Sequence, residues 1–149
     1  MLPGPFGNLV LAATLAYAST RGAAQVPEVA APDLQDTAMA EMTASGPVIF
    51  YNPTLYRAAG GAREFVRAHE YGHVLLGHLR DEEMLTTERG RARAEAEADC
   101  FAARAADHDA VMAMVHLVLG LPPEPRDVIY GTKRERARRI LTCAAVPEA

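Results

Sequence analysis

The sequence has no tryptophan, few aromatic residues and only two cysteines among its 149 residues. Its apolar content is mainly Ala, Leu, Val and Met, which favours packed helices over a large sheet. Basic residues are also in deficit, with 15 Lys and Arg against 19 Asp and Glu and a net charge of -4. Phosphate binding needs an excess of positive charge, so we predict no nucleic-acid partner.

Long apolar runs are missing as well. The segment Asn8 to Ala18 is apolar and uncharged, but a bilayer span needs roughly twenty such residues, so we predict no stable membrane span. Small-x-small cleavage patterns follow at Ala16-Tyr17-Ala18 and Gly22-Ala23-Ala24. These features predict a signal peptide over residues 1–24, although no basic residue precedes Arg21. The chain would then be periplasmic or secreted; a cytoplasmic chain with a buried N-terminal helix is the alternative.

The two cysteines are Cys100 and Cys143. In an exported chain they could form one disulfide, and closing a loop of about 44 residues is worth roughly 4 kcal/mol in the chain-entropy model. Two unrelated buried thiols are the alternative, as in cytosolic proteins. The predicted export favours the disulfide.

The remaining sequence predicts a linker and one domain. Residues 25–36 contain Pro27 and Pro32 and resemble a loose linker before a domain over residues 37–149. Two short strands are expected around a turn at Gly46, with the better one at Val48 to Tyr51. Four helices should follow, so the fold class is α+β and mainly helical, with a small N-terminal hairpin against the first of them.

Those helices have recognisable boundaries. We expect them at about residues 62–76, before the possible stop at Gly77; at 91–106; after Asp107 or Asp109 to about 119; and from the capping-box pair Thr132 and Glu135 to about 144. The third is apolar nearly all round and should be buried. A charged loop at residues 81–83 is expected after the first.

Three of the five histidines lie in "RAHEYGHVLLGH". His69 and His73 are four residues apart, so on a helix both imidazoles face the same side and can bind one ion. Glu70 lies about 100° around the helix, where its carboxylate can accept a proton from metal-bound water. This H-E-x-x-H pattern is the signature of zinc peptidases, and zinc lowers the pKa of its water to about 7.

A catalytic zinc needs a third protein ligand and an open position. "EAEAD" begins 22 residues after His73, on the next predicted helix. Glu95 and Asp99 share one face of it, so Glu95 can be the third ligand of a single zinc ion. Asp99 can reach a ligand histidine and determine its tautomer. Glu97 points away, while Gly72 and small residues on the second helix would let the two helices approach closely.

The same residues also have simpler interpretations. His69 and His73 could sit on the surface beside carboxylates, but they share an apolar stripe that should face inward, where unpaired polar groups are costly. His78 should be exposed just past the helix, His108 should belong to a helix cap, and His116 should be a hydrogen-bonded core residue. The basic run "KRERARR" is expected to be a solvated helix face.

With "HEYGH" followed by "EAEAD", the sequence resembles the gluzincin metallopeptidases, whose pattern is H-E-x-x-H…E-x-x-x-D. It is similar to HtpX-like and CAAX-prenyl-protease-like peptidases and to ImmA/IrrE-type proteases over about Val48 to Cys143. "YGTKRERARRI" is similar to an HtpX-like segment in which a His-Pro pair precedes a helix with Glu-Arg. Here Tyr130-Gly131 replaces the pair.

The resemblance implies a minimal zincin-like domain in which His69, His73 and Glu95 bind zinc and Glu70 is the catalytic base. Asp99 would orient a ligand, and Tyr130 is a candidate to stabilise the oxyanion, unless it merely packs on the last helix. The strand "VIFYN" would be the edge strand that aligns an extended polypeptide substrate.

The predicted function is therefore a zinc-dependent endopeptidase. A non-catalytic zinc scaffold or partner-binding protein of the same fold is the alternative. A cytosolic ImmA-like regulator is a third reading, against which the leader argues.

Overall fold

A small sheet precedes the helices along the chain, and the fold is α+β and mainly helical, as predicted. The computed structural model describes residues 26–122 and 127–145, so the predicted signal peptide lies outside the described residues. Within these ranges, no helix is both long enough and apolar enough to cross a membrane.

The sheet has three strands, and six α-helices follow it in the described part of the chain. The strands are β1 (Glu28–Ala30), β2 (Ala38–Thr43) and β3 (Gly46–Tyr51). The helices are α1 (Pro53–Ala58), α2 (Arg63–Leu75), α3 (Glu82–Thr86), α4 (Glu88–Ala105), α5 (His108–Leu119) and α6 (Lys133–Ala144). Short 3-10 turns at Gly60–Ala62 and His78–Arg80 flank α2.

The predicted hairpin of β2 and β3 is present, but the described part of the predicted linker is not loose. β1 lies within it and pairs in parallel with β3, with Glu28 opposite Ile49. The side-chain amide of Asn52 then donates to the carbonyl oxygens of Pro32 and Leu34, which holds the segment after β1. The prolines did not prevent this, because they flank an edge strand and take no interior ladder position.

The strand expected at the edge of the sheet is in fact its centre. The order is β1-β3-β2, so β3 has a partner on each side and β2 lies at an edge. Ile49 in β3 is only 3% exposed. The β-branched and aromatic composition of β3 thus indicated a buried strand rather than one available to a substrate.

The centre of the molecule is the contact between α2 and α4. Phe65 and Ala68 of α2 are fully buried, as are Phe101 and Ala102 of α4. At Gly72 a Cβ atom would lie 3.1 Å from the ring of Phe101. The expected close approach of these helices is therefore confirmed, and it brings the side chains of both helices within reach of one ion.

Capping residues explain how the chain turns between α2 and α4. Gly77 ends α2 with a left-handed φ of +79°, which L side chains rarely adopt. The expected charged loop is instead the short helix α3, because the Asp81 carboxylate caps it by accepting from the Met84 N–H. Thr87 caps α4 by accepting from the Gly90 N–H, so α4 begins three residues earlier than predicted.

Helix α5 is buried on one side only, contrary to the expectation of a fully buried helix. Val111 and Val115 are buried, whereas Leu117 and Leu119 are each about two-fifths exposed. His116 is also exposed, so it is not the core histidine that was predicted. An apolar helix at the surface of a small domain has neighbours on only one face. The start is as expected, with Asp107 at the N-cap position before His108.

Helix α6 carries the predicted capping box. The Thr132 hydroxyl accepts from the Glu135 N–H, and the Glu135 carboxylate accepts from the Thr132 N–H. The predicted disulfide is also present, between Cys100 in α4 and Cys143 in α6. It ties α6 to the helix that carries Glu95 and Asp99.

Candidate metal centre

Three predicted ligands converge between α2 and α4. One ligand atom from each of His69, His73 and Glu95 lies within 4.8 Å of the other two. The Nε2 atoms of the two histidines are 3.1 Å apart. The Glu95 carboxylate lies 3.0 Å from His69 Nε2 and 3.4 Å from His73 Nε2, through its two oxygens.

These separations fit a zinc ion. A tetrahedral ion with bonds of about 2.0–2.1 Å holds its ligand atoms about 3.4 Å apart, and this donor set suits zinc. The two imidazole nitrogens face one another at 3.1 Å beside a carboxylate. A cation between them would be attracted by both nitrogen lone pairs and by the carboxylate. The three residues therefore fit a zinc site.

Asp99 holds the other nitrogen of His69. Its carboxylate is 0% exposed, and one oxygen lies 3.0 Å from His69 Nδ1. A carboxylate only accepts hydrogen bonds, so Nδ1 carries a proton, and Nε2 is the atom that can offer a lone pair to a metal once it has given up its own proton. Arg136 and Arg139 of α6 donate to the same carboxylate. Burial alone would raise the pKa of Asp99, but His69 and Arg136 hold it well below its usual range.

His73 contacts His78, a residue that was expected to lie outside the site. His78 was expected to be exposed, but it is 2% exposed and its Nδ1 lies 3.0 Å from Nδ1 of His73. Its other nitrogen lies 2.9 Å from the carboxylate of Glu97, which was expected to point away from the site. The left-handed Gly77 causes the difference, because it folds the 3-10 turn back beneath α2.

Glu70, the predicted base, is buried at the floor of a cleft. Its carboxylate accepts a hydrogen bond of 2.7 Å from the backbone N–H of Ala40 in β2. The backbone carbonyl of Thr37 accepts a hydrogen bond from the N–H of Asn52, the residue that follows β3. Successive residues of a strand face opposite directions in the ladder. The backbone groups of Ala38 and Ala40 therefore face the cleft rather than β3.

Tyr130 contacts the third ligand. Its hydroxyl donates to the Glu95 carboxylate at 2.8 Å, and the Arg136 guanidinium lies 4.2 Å from its ring centre. Burial and the charge of Glu95 raise the pKa of Tyr130, so its proton stays available for donation. Burial would raise the pKa of Glu95, but hydrogen bonds from His69 and His73 lower it well below its usual range. Glu95 is therefore a carboxylate at neutral pH.

The cleft over this centre has a volume of about 450 Å³. Glu70, the two ligand histidines and Tyr130 line it together with β2. Apolar side chains complete its walls, among them Met39, Leu79 and Met84. A chain of this size thus still builds a cleft over the three converging residues.

Comparison of the chain with known protein families, with curated protein sequences and with solved structures found no match. Sequence reasoning identified the three ligands, Glu70, Asp99 and Tyr130, but it missed His78, Glu97 and the two arginines. The only available signal for His78 was the Gly-His pair directly after the helix.

Proposed function

We propose that the protein is a zinc-dependent endopeptidase. The observation that carries the proposal is the convergence of His69, His73 and Glu95 within 4.8 Å, beside Glu70 on an open cleft. A structural zinc site is normally closed by four protein ligands, whereas a catalytic one keeps a position free. Three ligands and a neighbouring carboxylate on a cleft are typical of the second kind.

Each residue then has a defined task. When bound, zinc would polarise a peptide carbonyl and make water acidic enough to attack it at neutral pH. Glu70 would accept the proton of the attacking water and pass it to the leaving amine. The Ala40 N–H, 2.7 Å from the Glu70 carboxylate, would hold that group in place. The Tyr130 hydroxyl donates its one proton to Glu95, so it would have to leave that contact to donate to a developing oxyanion.

The substrate would be an extended polypeptide. β2 lies at an edge of the sheet, and the backbone groups of Ala38 and the carbonyl of Ala40 face the cleft, whereas the Ala40 N–H is engaged by Glu70. A peptide can add to such an edge by backbone hydrogen bonds, which align it without requiring one sequence. This role belongs to β2 and not to the strand chosen from the sequence.

The proposal includes export from the cytoplasm. The disulfide between Cys100 and Cys143 supports it, because disulfides persist in oxidising compartments. N-terminal sequencing of the mature chain tests this part: a cleaved leader near residue 24 is expected, and an intact Met1 in a cytoplasmic fraction contradicts it.

Glu70→Gln tests the catalytic assignment. The amide keeps the size of the side chain but cannot take a proton, so hydrolysis of an unfolded protein or peptide library should fall at least about 100-fold. Zinc stoichiometry should remain one per chain, because Glu70 is not among the converging ligands. His116→Gln, an exposed histidine on α5, is the matched control and should keep both properties.

The results of these assays distinguish the peptidase from the non-catalytic scaffold. A Glu70→Gln variant that cleaves like the wild type would refute the assigned base. A wild-type chain that binds zinc and cleaves no peptide would favour the non-catalytic scaffold.

A further inference from the structure

The second nitrogen of His73 points into a buried chain of contacts that the proposed reaction does not use. His73 Nδ1 lies 3.0 Å from His78 Nδ1, and His78 Nε2 lies 2.9 Å from the Glu97 carboxylate. The two rings meet edge to face, with centres 5.1 Å apart. His78 is 2% exposed, so its polar atoms depend on these two partners.

The Glu97 carboxylate, the last member of the chain of contacts, determines the tautomers of the two rings when both are neutral. The Glu97 carboxylate only accepts, so the proton of neutral His78 lies on Nε2. His78 Nδ1 then has a lone pair, and the contact with His73 requires a proton on His73 Nδ1. That leaves the lone pair of neutral His73 on Nε2, the atom that lies 3.1 Å from His69 Nε2 and faces Glu95.

We propose that His78 and Glu97 are positioning residues, which hold His73 in the tautomer and ring orientation that bind the metal. The inference rests on the proposed zinc site and extends it. Asp99 acts on His69 through one direct contact. His73 reaches its carboxylate through an intervening imidazole, because Glu97 lies on the far side of His78. Helix α4 thus supplies one ligand and the anchoring carboxylates for both ligand histidines.

The burial of His78 supports a role in this chain of contacts. A buried imidazole without partners is costly, and an apolar side chain would fill the same space at lower cost. The turn that places it needs the left-handed Gly77. Glu97 itself remains partly exposed, with its side chain at 20%, so it can be changed with little effect on packing.

Three variants separate positioning from packing. His78→Phe keeps an aromatic ring but removes both nitrogens. Glu97→Leu removes the acceptor, and Glu97→Gln restores an acceptor oxygen without the charge. His116→Phe makes the same histidine replacement at an exposed site on α5 and is the matched control.

The first measurement is the zinc dissociation constant, by competition with a chelator of known affinity. His78→Phe and Glu97→Leu should each bind zinc about 10- to 100-fold more weakly, as is usual when the partner of a ligand histidine is removed. Glu97→Gln should recover a large part of that loss. His116→Phe should bind as the wild type does.

The second measurement is the ¹⁵N NMR spectrum of the histidine rings in the zinc-loaded chain. The wild type should show His73 protonated at Nδ1, with that proton protected from exchange with water. In His78→Phe the protection should be lost, while the Nδ1–H of His69 beside Asp99 keeps it. A merely structural role for His78 would not separate the two rings in this way.

Failure of the inference differs from failure of the proposed function. If the wild type binds zinc and both His78→Phe and Glu97→Leu bind it equally well, the positioning role is wrong and the zinc site stands. If His78→Phe does not fold, the two Glu97 variants decide the same question. A wild-type chain that takes up no zinc overturns both. Zinc binding with the expected variant effects but no cleavage leaves the positioning role supported and refutes the peptidase.

Discussion

Asp99→Asn should be among the most damaging single changes to the chain, because Asp99 is fully buried and touches both the candidate metal centre and α6. Its two oxygens accept four hydrogen bonds, one from His69, two from Arg136 and one from Arg139. All three partner residues donate. Asparagine has the same shape but presents one NH₂ group, which must face at least one of them.

The expected loss in the free energy of unfolding follows from this mismatch between the amide NH₂ group and the donors around it. Removing one partner of a buried ion pair typically costs about 3–5 kcal/mol, since the other charge is left uncompensated. The Arg136 side chain is only 16% exposed, although Arg139 is 28% exposed and can turn partly to water. We therefore expect the lower end of the range, about 3 kcal/mol. An amide group turned toward His69 would also favour the tautomer that cannot offer Nε2 to zinc.

Urea unfolding of the metal-free chain, with a chelator present, measures the effect on stability. Asp33→Asn is the matched control at an exposed position and should change the free energy of unfolding by less than about 0.5 kcal/mol. Each single change leaves the remaining member of the Arg136–Asp99 pair without its partner. The double variant Arg136→Leu with Asp99→Asn should therefore lose about 1–3 kcal/mol less than the sum of the two single losses. A loss below about 1 kcal/mol for Asp99→Asn would refute the reasoning, as that is the value of an ordinary hydrogen bond.

Two further predictions concern packing and pH. Gly90→Ala should destabilise the chain by about 1–3 kcal/mol in the same urea assay, because the new Cβ would overlap the carbonyl oxygen of Glu83. Alanine normally favours a helix over glycine, so a more stable variant would show that α3 and α4 are not so close. Burial lowers the pKa of His69, but hydrogen bonds to Asp99 and Glu95 outweigh it and raise the pKa from 6.5 to about 10. The protonated ring therefore stabilises the metal-free chain fully below pH 6.5, and this contribution should be lost as the pH rises through about 10. His69→Gln should remove that part of the pH dependence, and an unchanged profile would contradict the assignment.

Local patterns in the sequence were sufficient for most of the site. Positions four apart on a helix share a face whatever the rest of the fold does, so His69 with His73 and Glu95 with Asp99 could be paired from spacing alone. Helix ends depend on nearby residues too, and the capping box at Thr132 and Glu135 was therefore predictable. The disulfide between the two cysteines was favoured because the leader predicted export.

Contacts made across the sheet and around turns were not predictable in this way. β3 lies at the centre of the sheet and β2 at its edge because β1 pairs with β3. The three residues of β1 carry no strand signal of their own. Whether His78 is buried depends on the direction in which Gly77 turns the chain. The exposed face of α5 depends on how many helices this small domain has to cover it.

The sequence by itself determined which side chains could bind a metal, since ligand chemistry and helical spacing are local properties. Only the tertiary structure decided which side chains contact the two histidines: Asp99, itself bound by the α6 arginines, contacts His69, and His78, itself bound to Glu97, contacts His73. The physical reason is range. A helix sets the relation between residues four apart, whereas a hydrogen bond between helices depends on how the whole chain packs.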